Sequence, residues 1–210
     1  MRNQSAFTAA LLTVHSADQA VWLPLLSLDK AWYALPRELS LSPSGKLLQH
    51  PVQEAVKLRK QPSSFPALAR GSQVELMARC ERPSTGSWPT SGLLAVKTLQ
   101  AAGQNLTLGY EFATGSAAGG AIINGFADVP ASLSVLGARK DVTPPLPDLA
   151  AGAALELRVY VDGHLAETFF GGHSVITTIT SNTMPSAGVG SAFVNSAGLD
   201  CNVSSWTLGL

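Results

Sequence analysis

The clearest pattern in the chain is alternation. Residues 155–162, "LELRVYVD", put Leu155, Leu157, Val159 and Val161 on one face and Glu156, Arg158, Tyr160 and Asp162 on the other, as a half-buried strand requires. "SQVELMARCE" repeats the pattern with Val74, Leu76 and Ala78. "NLTLGYEFA" sets Leu106, Leu108 and Tyr110 against Thr107, Gly109 and Glu111. "GLLAVKTLQ", "AIINGFA", "GHLAETFF", "HSVITTITS", "GVGSAFVN" and "CNVSSWTLGL" read as further short strands between loops rich in Gly, Pro and Ser. Roughly ten strands, with no helical period long enough to cover a sheet, predict an all-β fold over residues 65–210. The expected architecture is an antiparallel β-sandwich of two packed sheets; a partial barrel is the alternative.

Residues 32–64 read differently, as a short strand-and-helix segment ahead of the sandwich. "SPSG" at 42–45 joins two short strands, "RELSL" and "KLLQH". "PVQEAVKLRK" then suits a short helix, with Pro51 early, Val52, Ala55, Val56 and Leu58 apolar, and basic residues at the end. "QPSSFP" closes the segment. Residues 1–31 form a third, divergent stretch.

Composition narrows the functional classes. Lys and Arg together number 14, equal to Asp and Glu, and charged residues are only 13% of the chain. No basic surface is available to neutralise a phosphate backbone, so nucleic acid is not an expected partner. No apolar run reaches the length of a membrane span, so membrane insertion is not expected. The hydroxyl- and amide-rich surface that low charge implies suits an extracellular or vacuolar protein of the secretory route. "AFTAALLTV" behind Arg2 has the outline of a weak signal peptide. Cys80 and Cys201 are too far apart in sequence for a metal motif; they are either a disulfide pair or two buried thiols. Three sequons occur, at Asn3, Asn105 and Asn202, and the latter two lie in the strand-rich region. No cofactor or metal is expected: His15, His50, His164 and His173 show no ligand spacing.

Two motifs carry a family resemblance. "PRELSL" (Pro36, Arg37, Glu38, Leu39, Ser40, Leu41) is followed by Gly45, Leu47, Gln49, Pro51, Glu54, Leu58 and Arg59 in a "G-L-Q-P-E-LR" pattern. The pair resembles the passage where glycoside hydrolase family 32 enzymes (invertases, fructanases and sucrose-phosphate hydrolases) leave their catalytic propeller. "LRVYVDGHLAETFFGGHSVITTITSNTMPS" is similar to the signature of that family's C-terminal module, through Leu157, Arg158, Val161, Asp162, Glu167, Phe169, Gly172, Thr177 and Thr178. Trp206 falls in the family's near-terminal tryptophan place.

The resemblance runs from about residue 32 to 210. It implies a last-blade remnant and linker over 32–64, a C-terminal β-sandwich over 65–210, and hydrolysis of terminal β-fructofuranosides such as sucrose or fructans as the family reaction. The family's "NDPNG"-like nucleophile, "RDP" and "EC" acid/base motifs do not occur in these residues. The chain is therefore expected to be a fragment of a longer enzyme and inactive alone. Expected partners are sucrose, fructan or another glycan, and a propeller domain or subunit. Rival readings are a stand-alone lectin-like module and a structural or partner-binding subunit.

Candidate residues follow. Asp162 and Glu167 bracket an Asp-Gly hairpin and invite comparison with a glycosidase carboxylate pair. A general acid needs a partly buried, apolar setting, which a two-residue turn does not imply. The preferred reading gives Asp162 to the turn and lets Glu167 accept a bond from Arg158 or His164, with a role at the domain interface implied by the family. Arg37 and Glu38 are expected to form an ion pair closing the blade against its linker. If the blade's other strands are missing, "WYALPRELSL" becomes an exposed edge. No catalytic residue is assigned. For a glycan platform, an exposed ring is needed. Trp88, in the polar loop "STGSWPTSG", and Tyr160, on the hairpin, are the candidates.

Overall fold

A computed structural model describes residues 8–16, 19–27, 31–42, 45–101, 104–115, 121–129, 139–142, 154–163, 165–179 and 191–209. They fall in two compact units, residues 1–57 and 58–210.

The first unit is one antiparallel sheet. Its strands are β1 (Thr8–Ser16), β2 (Gln19–Ser27), β3 (Ala31–Tyr33), β4 (Arg37–Leu41) and β5 (Leu47–Pro51), in the order β1-β2-β4-β5 with β3 pairing the end of β2. The two strands expected around "SPSG" are present as β4 and β5. β4 is not an exposed edge: β2 and β5 hydrogen-bond to it on either side. The stretch read as divergent, residues 1–31, supplies the missing neighbours. "TAALLTVHS" and "QAVWLPLLS" are almost unbroken apolar runs, so they lack the alternation by which the later strands announce themselves. A four-strand antiparallel meander is the arrangement of one propeller blade.

A 3₁₀ turn, Gln53–Leu58, follows. An α-helix was expected through Lys60, but only Ala55 of the turn is buried, and Arg59 already belongs to strand β6 (Arg59–Ser64). β6 pairs with the last strand of the chain, so the second unit begins at Leu58 rather than at Phe65. Proline and charge in "RKQPSS" disguise this edge strand as linker; Pro is tolerated there because an edge leaves one side of the ladder open.

The second unit continues through β7 (Gln73–Glu81), β8 (Gly92–Ala101), β9 (Gln104–Thr114), β10 (Ala121–Asp128), β11 (Arg139–Asp141), β12 (Ala154–Asp162), β13 (Leu165–Phe170), β14 (Ser174–Ile179), β15 (Ala192–Asn195) and β16 (Cys201–Leu208). These form a five-stranded sheet, β11-β10-β9-β8-β15, and a six-stranded sheet, β14-β13-β12-β7-β16-β6. All ladders are antiparallel, and the two sheets pack as the expected β-sandwich.

The alternation explains the packing. Leu155, Leu157, Val159 and Val161 of β12 face Cys80, Ala78, Leu76 and Val74 of β7 in register, and all eight lie in the core. Leu106, Leu108 and Tyr110 meet them from β9. Each such aliphatic side chain contributes about 1.5–3 kcal/mol when fully buried. Tyr110 bridges the sheets: its hydroxyl donates to the Glu156 carbonyl at 2.7 Å, and its ring stands edge-on to Phe170 at 5.2 Å. Gly125 permits the close approach of Phe170, since a Cβ there would lie 2.8 Å from that ring. Cys80 and Cys201 are directly opposed on β7 and β16 and form a disulfide.

Candidate functional site

The register of the six-stranded sheet lines up one row across its outer face, the face turned away from the sandwich core. Trp206 on β16 opposes Glu75 on β7, Glu75 opposes Tyr160 on β12, Tyr160 opposes Glu167 on β13, and Glu167 opposes Thr177 on β14. Residues on the outer face of a sandwich are ordinarily solvated and polar. Here Glu75 is 0% exposed, Glu167 2% and Tyr160 4%. A buried carboxylate has to be paired or hydrogen-bonded, and both of these are.

Glu75 is the centre of the row. Arg59, the first residue of β6, donates to both of its oxygens, Nε to Oε2 at 2.7 Å and Nη2 to Oε1 at 2.6 Å. The same guanidinium lies 3.8 Å from the centre of the Trp206 ring. Arg158 brings its Nε to 3.6 Å from Glu75 and 3.8 Å from Glu156, and its Nη2 to 3.3 Å from the Met77 sulfur. The hydrogen bonds from Arg59 to Glu75 hold the Arg59 guanidinium above its ordinary range. Burial, and after it the charge of Glu75, push the Tyr160 phenol up as well. Planar bidentate pairing and ring stacking are what arginine does better than lysine, so Arg59 is not replaceable by charge alone.

At the other end of the row, Thr177 Oγ1 donates to Glu167 Oε1 at 3.2 Å. The bond expected from Arg158 to Glu167 is not the one made. Arg158 opposes Phe169 in register and turns to Glu75 and Glu156. His164, the other expected donor, lies outside the described residues. Asp162 and Glu167 stand in different environments, one exposed and the other buried. Asp162 is exposed, accepts from Gln73 Nε2 at 2.9 Å, and leads into Gly163, whose φ of 56° makes the hairpin turn. Glu167 is in the buried row behind it.

Neither proposed glycan platform is exposed. Trp88 is 4% exposed and belongs to the core cluster with Leu68 and Leu199. The polar residues around it in "STGSWPTSG" line a loop whose one large apolar side chain turns inward. Tyr160 is equally covered, because it sits in the middle of the outer row rather than at the hairpin tip.

In the first unit, Arg37 and Glu38 are neighbours in β4, so their side chains leave opposite faces. Arg37 Nη1 donates to Gln49 Oε1 at 3.1 Å. Glu38 Oε1 accepts from the Gln53 backbone N–H at 3.2 Å and so anchors the start of the 3₁₀ turn. Glu38 thus ties β4 to the start of the linker through the backbone rather than through an ion pair with Arg37. Asn202 is exposed on β16, and the side chain of Asn105 lies outside the described residues. Among the described residues there is no group of three or more His, Cys, Asp or Glu that could hold a metal ion, and no helix long and apolar enough to cross a membrane.

Sequence reasoning missed Arg59 and Glu75. The signal was partly visible: alternation puts Glu75 on the face opposite Val74 and Leu76, the face that also carries Arg158 and Tyr160. It does not show that this face is covered.

Comparison with known proteins agrees with this architecture. The family model "Glycosyl hydrolases family 32 C terminal" matches residues 45–207. Among solved structures, the chain is similar to fructan 1-exohydrolase IIa from Cichorium intybus at 15% identity and a TM-score of 0.67, covering 90% of this chain and 45% of that one. It is similar to an exo-inulinase from Aspergillus awamori at 18% identity and a TM-score of 0.67, covering 97% of this chain and 43% of that one. A Bombyx mori β-fructofuranosidase aligns at 13% identity with a TM-score of 0.55, over 97% of this chain and 40% of that one. The chain thus spans less than half the length of each of these structures. A comparison with curated protein sequences gives no match. By the family match, which runs through most of the sandwich strands, the chain belongs to glycosyl hydrolase family 32, as its C-terminal β-sandwich domain.

Proposed function

We propose that this chain is the accessory sandwich of a β-fructofuranosidase-type enzyme and that it supports a catalytic propeller without hydrolysing sugar itself. The observation that carries the reading is the state of the two buried carboxylates among the described residues. Glu75 is clasped by Arg59 on both oxygens, and Glu167 accepts from Thr177. A glycosidase needs one protonated acid and one free carboxylate flanking an open cleft. Carboxylates held in a bidentate ion pair and a cross-strand bond are committed to the sheet. The solved structures it resembles are named for fructan, inulin or fructofuranoside chemistry, which supports sucrose and fructans as the substrates of the enzyme it would serve.

The test is fructose release from sucrose and inulin. The purified chain alone is expected to give the no-protein rate. A family 32 propeller expressed without its own sandwich is expected to gain thermal stability when this chain is co-expressed. Substantial turnover by the chain alone sinks the proposal. The burial of Trp88 and Tyr160, the two rings expected to form a glycan platform, counts against the lectin-like reading.

A further inference from the structure

We infer that Asn202 is an N-glycan acceptor, and that closure of the Cys80–Cys201 disulfide sets the moment by which the glycan has to be in place. Asn202-Val203-Ser204 has the acceptor pattern, with a non-proline central residue. Many such triplets occur by chance, and the structure is what distinguishes this one.

Asn202 is exposed and opposes Arg79 on β7, whose side chain is also open to solvent. It leaves the outer face of the six-stranded sheet, whereas its neighbours Cys201 and Val203 turn to the core side. Along β16 the pairs run Asn202 with Arg79, Ser204 with Met77, and Trp206 with Glu75. The acceptor therefore stands at the solvated end of the outer face, two residue pairs beyond the buried row. A glycan there extends into solvent and leaves the buried Glu75, Tyr160 and Glu167 undisturbed.

β16 pairs with β7 from Cys201 to Thr207 and with β6 only from Ser204 to Leu208, so Asn202 stands in the β7 ladder, at the end the β6 ladder does not reach. The first residue of β16, Cys201, is cross-linked to Cys80 in direct register. A transferase has to bend the acceptor segment around its own active site, and a residue held in the β7 ladder next to a closed disulfide resists that. The transfer thus precedes the insertion of β16. Disulfides form in the oxidising compartments where such glycans are attached, so the two modifications of adjacent residues compete in time. In the transfer, Asn202 Nδ2 bonds to the anomeric carbon of a lipid-pyrophosphate-linked oligosaccharide. The bond from that carbon to the phosphate oxygen breaks, the lipid pyrophosphate leaves, and Nδ2 gives up one proton.

The experiment directs the full chain, carrying Asn3→Gln and Asn105→Gln, through a eukaryotic secretory pathway. Intact mass and mobility on denaturing gels are read before and after peptide-N-glycosidase F. The expected result is a glycan mass removed by the glycosidase, lost with Asn202→Gln and with Ser204→Ala. The glycosylated fraction is expected to rise when Cys80→Ser and Cys201→Ser are added. Because the gel is denaturing, a variant that fails to fold still reports. A chain with no glycosidase-sensitive mass overturns the acceptor assignment. A fraction that is already complete, or that does not rise without the cysteines, overturns the order of events.

Discussion

The two faces of the six-stranded sheet are built from the same strands and obey different physics. The inner face is apolar almost throughout, with Leu157, Val159, Leu76 and Ala78 as its centre, and its stabilisation is non-directional. The outer face carries Arg59, Glu75, Arg158, Tyr160 and Glu167, with Glu75 as fully covered as any core leucine. There the stabilisation is directional: it depends on two hydrogen bonds to one carboxylate and on a guanidinium stacked over Trp206. An inner face tolerates loss of a methylene by partial collapse. An outer face organised around a buried charge does not tolerate loss of the counter-charge, because the remaining ion has no water to return to.

The comparison is broken most directly at Glu75. Arg59→Ala strands the fully buried Glu75 carboxylate without its bidentate partner, and a loss of about 3–5 kcal/mol in urea unfolding is expected, as for other broken buried pairs. Replacing the disulfide with Cys80→Ser and Cys201→Ser releases a loop of 121 residues. That is expected to cost about 2–5 kcal/mol, read as a fall in the thermal midpoint of the non-reduced protein. Tyr110→Phe removes only the inter-sheet bond to the Glu156 carbonyl and keeps the ring on Phe170; about 1 kcal/mol is expected. Arg139→Ala breaks an exposed cluster with Glu111 and Asp141 over Phe126 on the five-stranded sheet, and less than about 1 kcal/mol is expected.

The tyrosines sharpen the same contrast through pH. Burial raises the phenols of both Tyr110, on the inner side, and Tyr160, on the outer side, above the ordinary value of 10.0. A raised folded pKa stabilises while both states are protonated, and that contribution is lost as pH climbs from the unfolded value toward the folded one. Stability is therefore expected to fall above about pH 10, with neither phenol ionising in the native ultraviolet spectrum before the chain unfolds. Tyr160→Phe, which removes one titrating group, is expected to move the alkaline unfolding midpoint upward.

These particulars explain what the sequence could and could not convey. Leu155, Leu157, Val159 and Val161 announce an inner face because a period of two is unambiguous when one side is polar. The two-sheet architecture followed from them. β1 and β2 were hidden by the opposite condition, apolar residues at nearly every position, which carries no phase. β6 was hidden by "RKQPSS", whose composition is that of a linker. Glu75 and Arg158 were legible as sharing a face, but a polar residue on an outer face reads as solvated unless its cover is known. Trp88 failed for the same reason in reverse, since polar loop neighbours gave no hint that the indole turns inward. For the candidate site, then, pattern identifies which residues are neighbours, whereas burial decides what chemistry they retain.

The measurement that tests the organising role of Glu75 most directly is a double-mutant cycle in denaturant unfolding, with Arg59→Ala, Glu75→Ala and the double variant. A row built on this pair predicts that the double variant is less destabilised than the sum of the two single ones, with a coupling of about 1.5–3 kcal/mol. Additive single effects, with a coupling near zero, would contradict it.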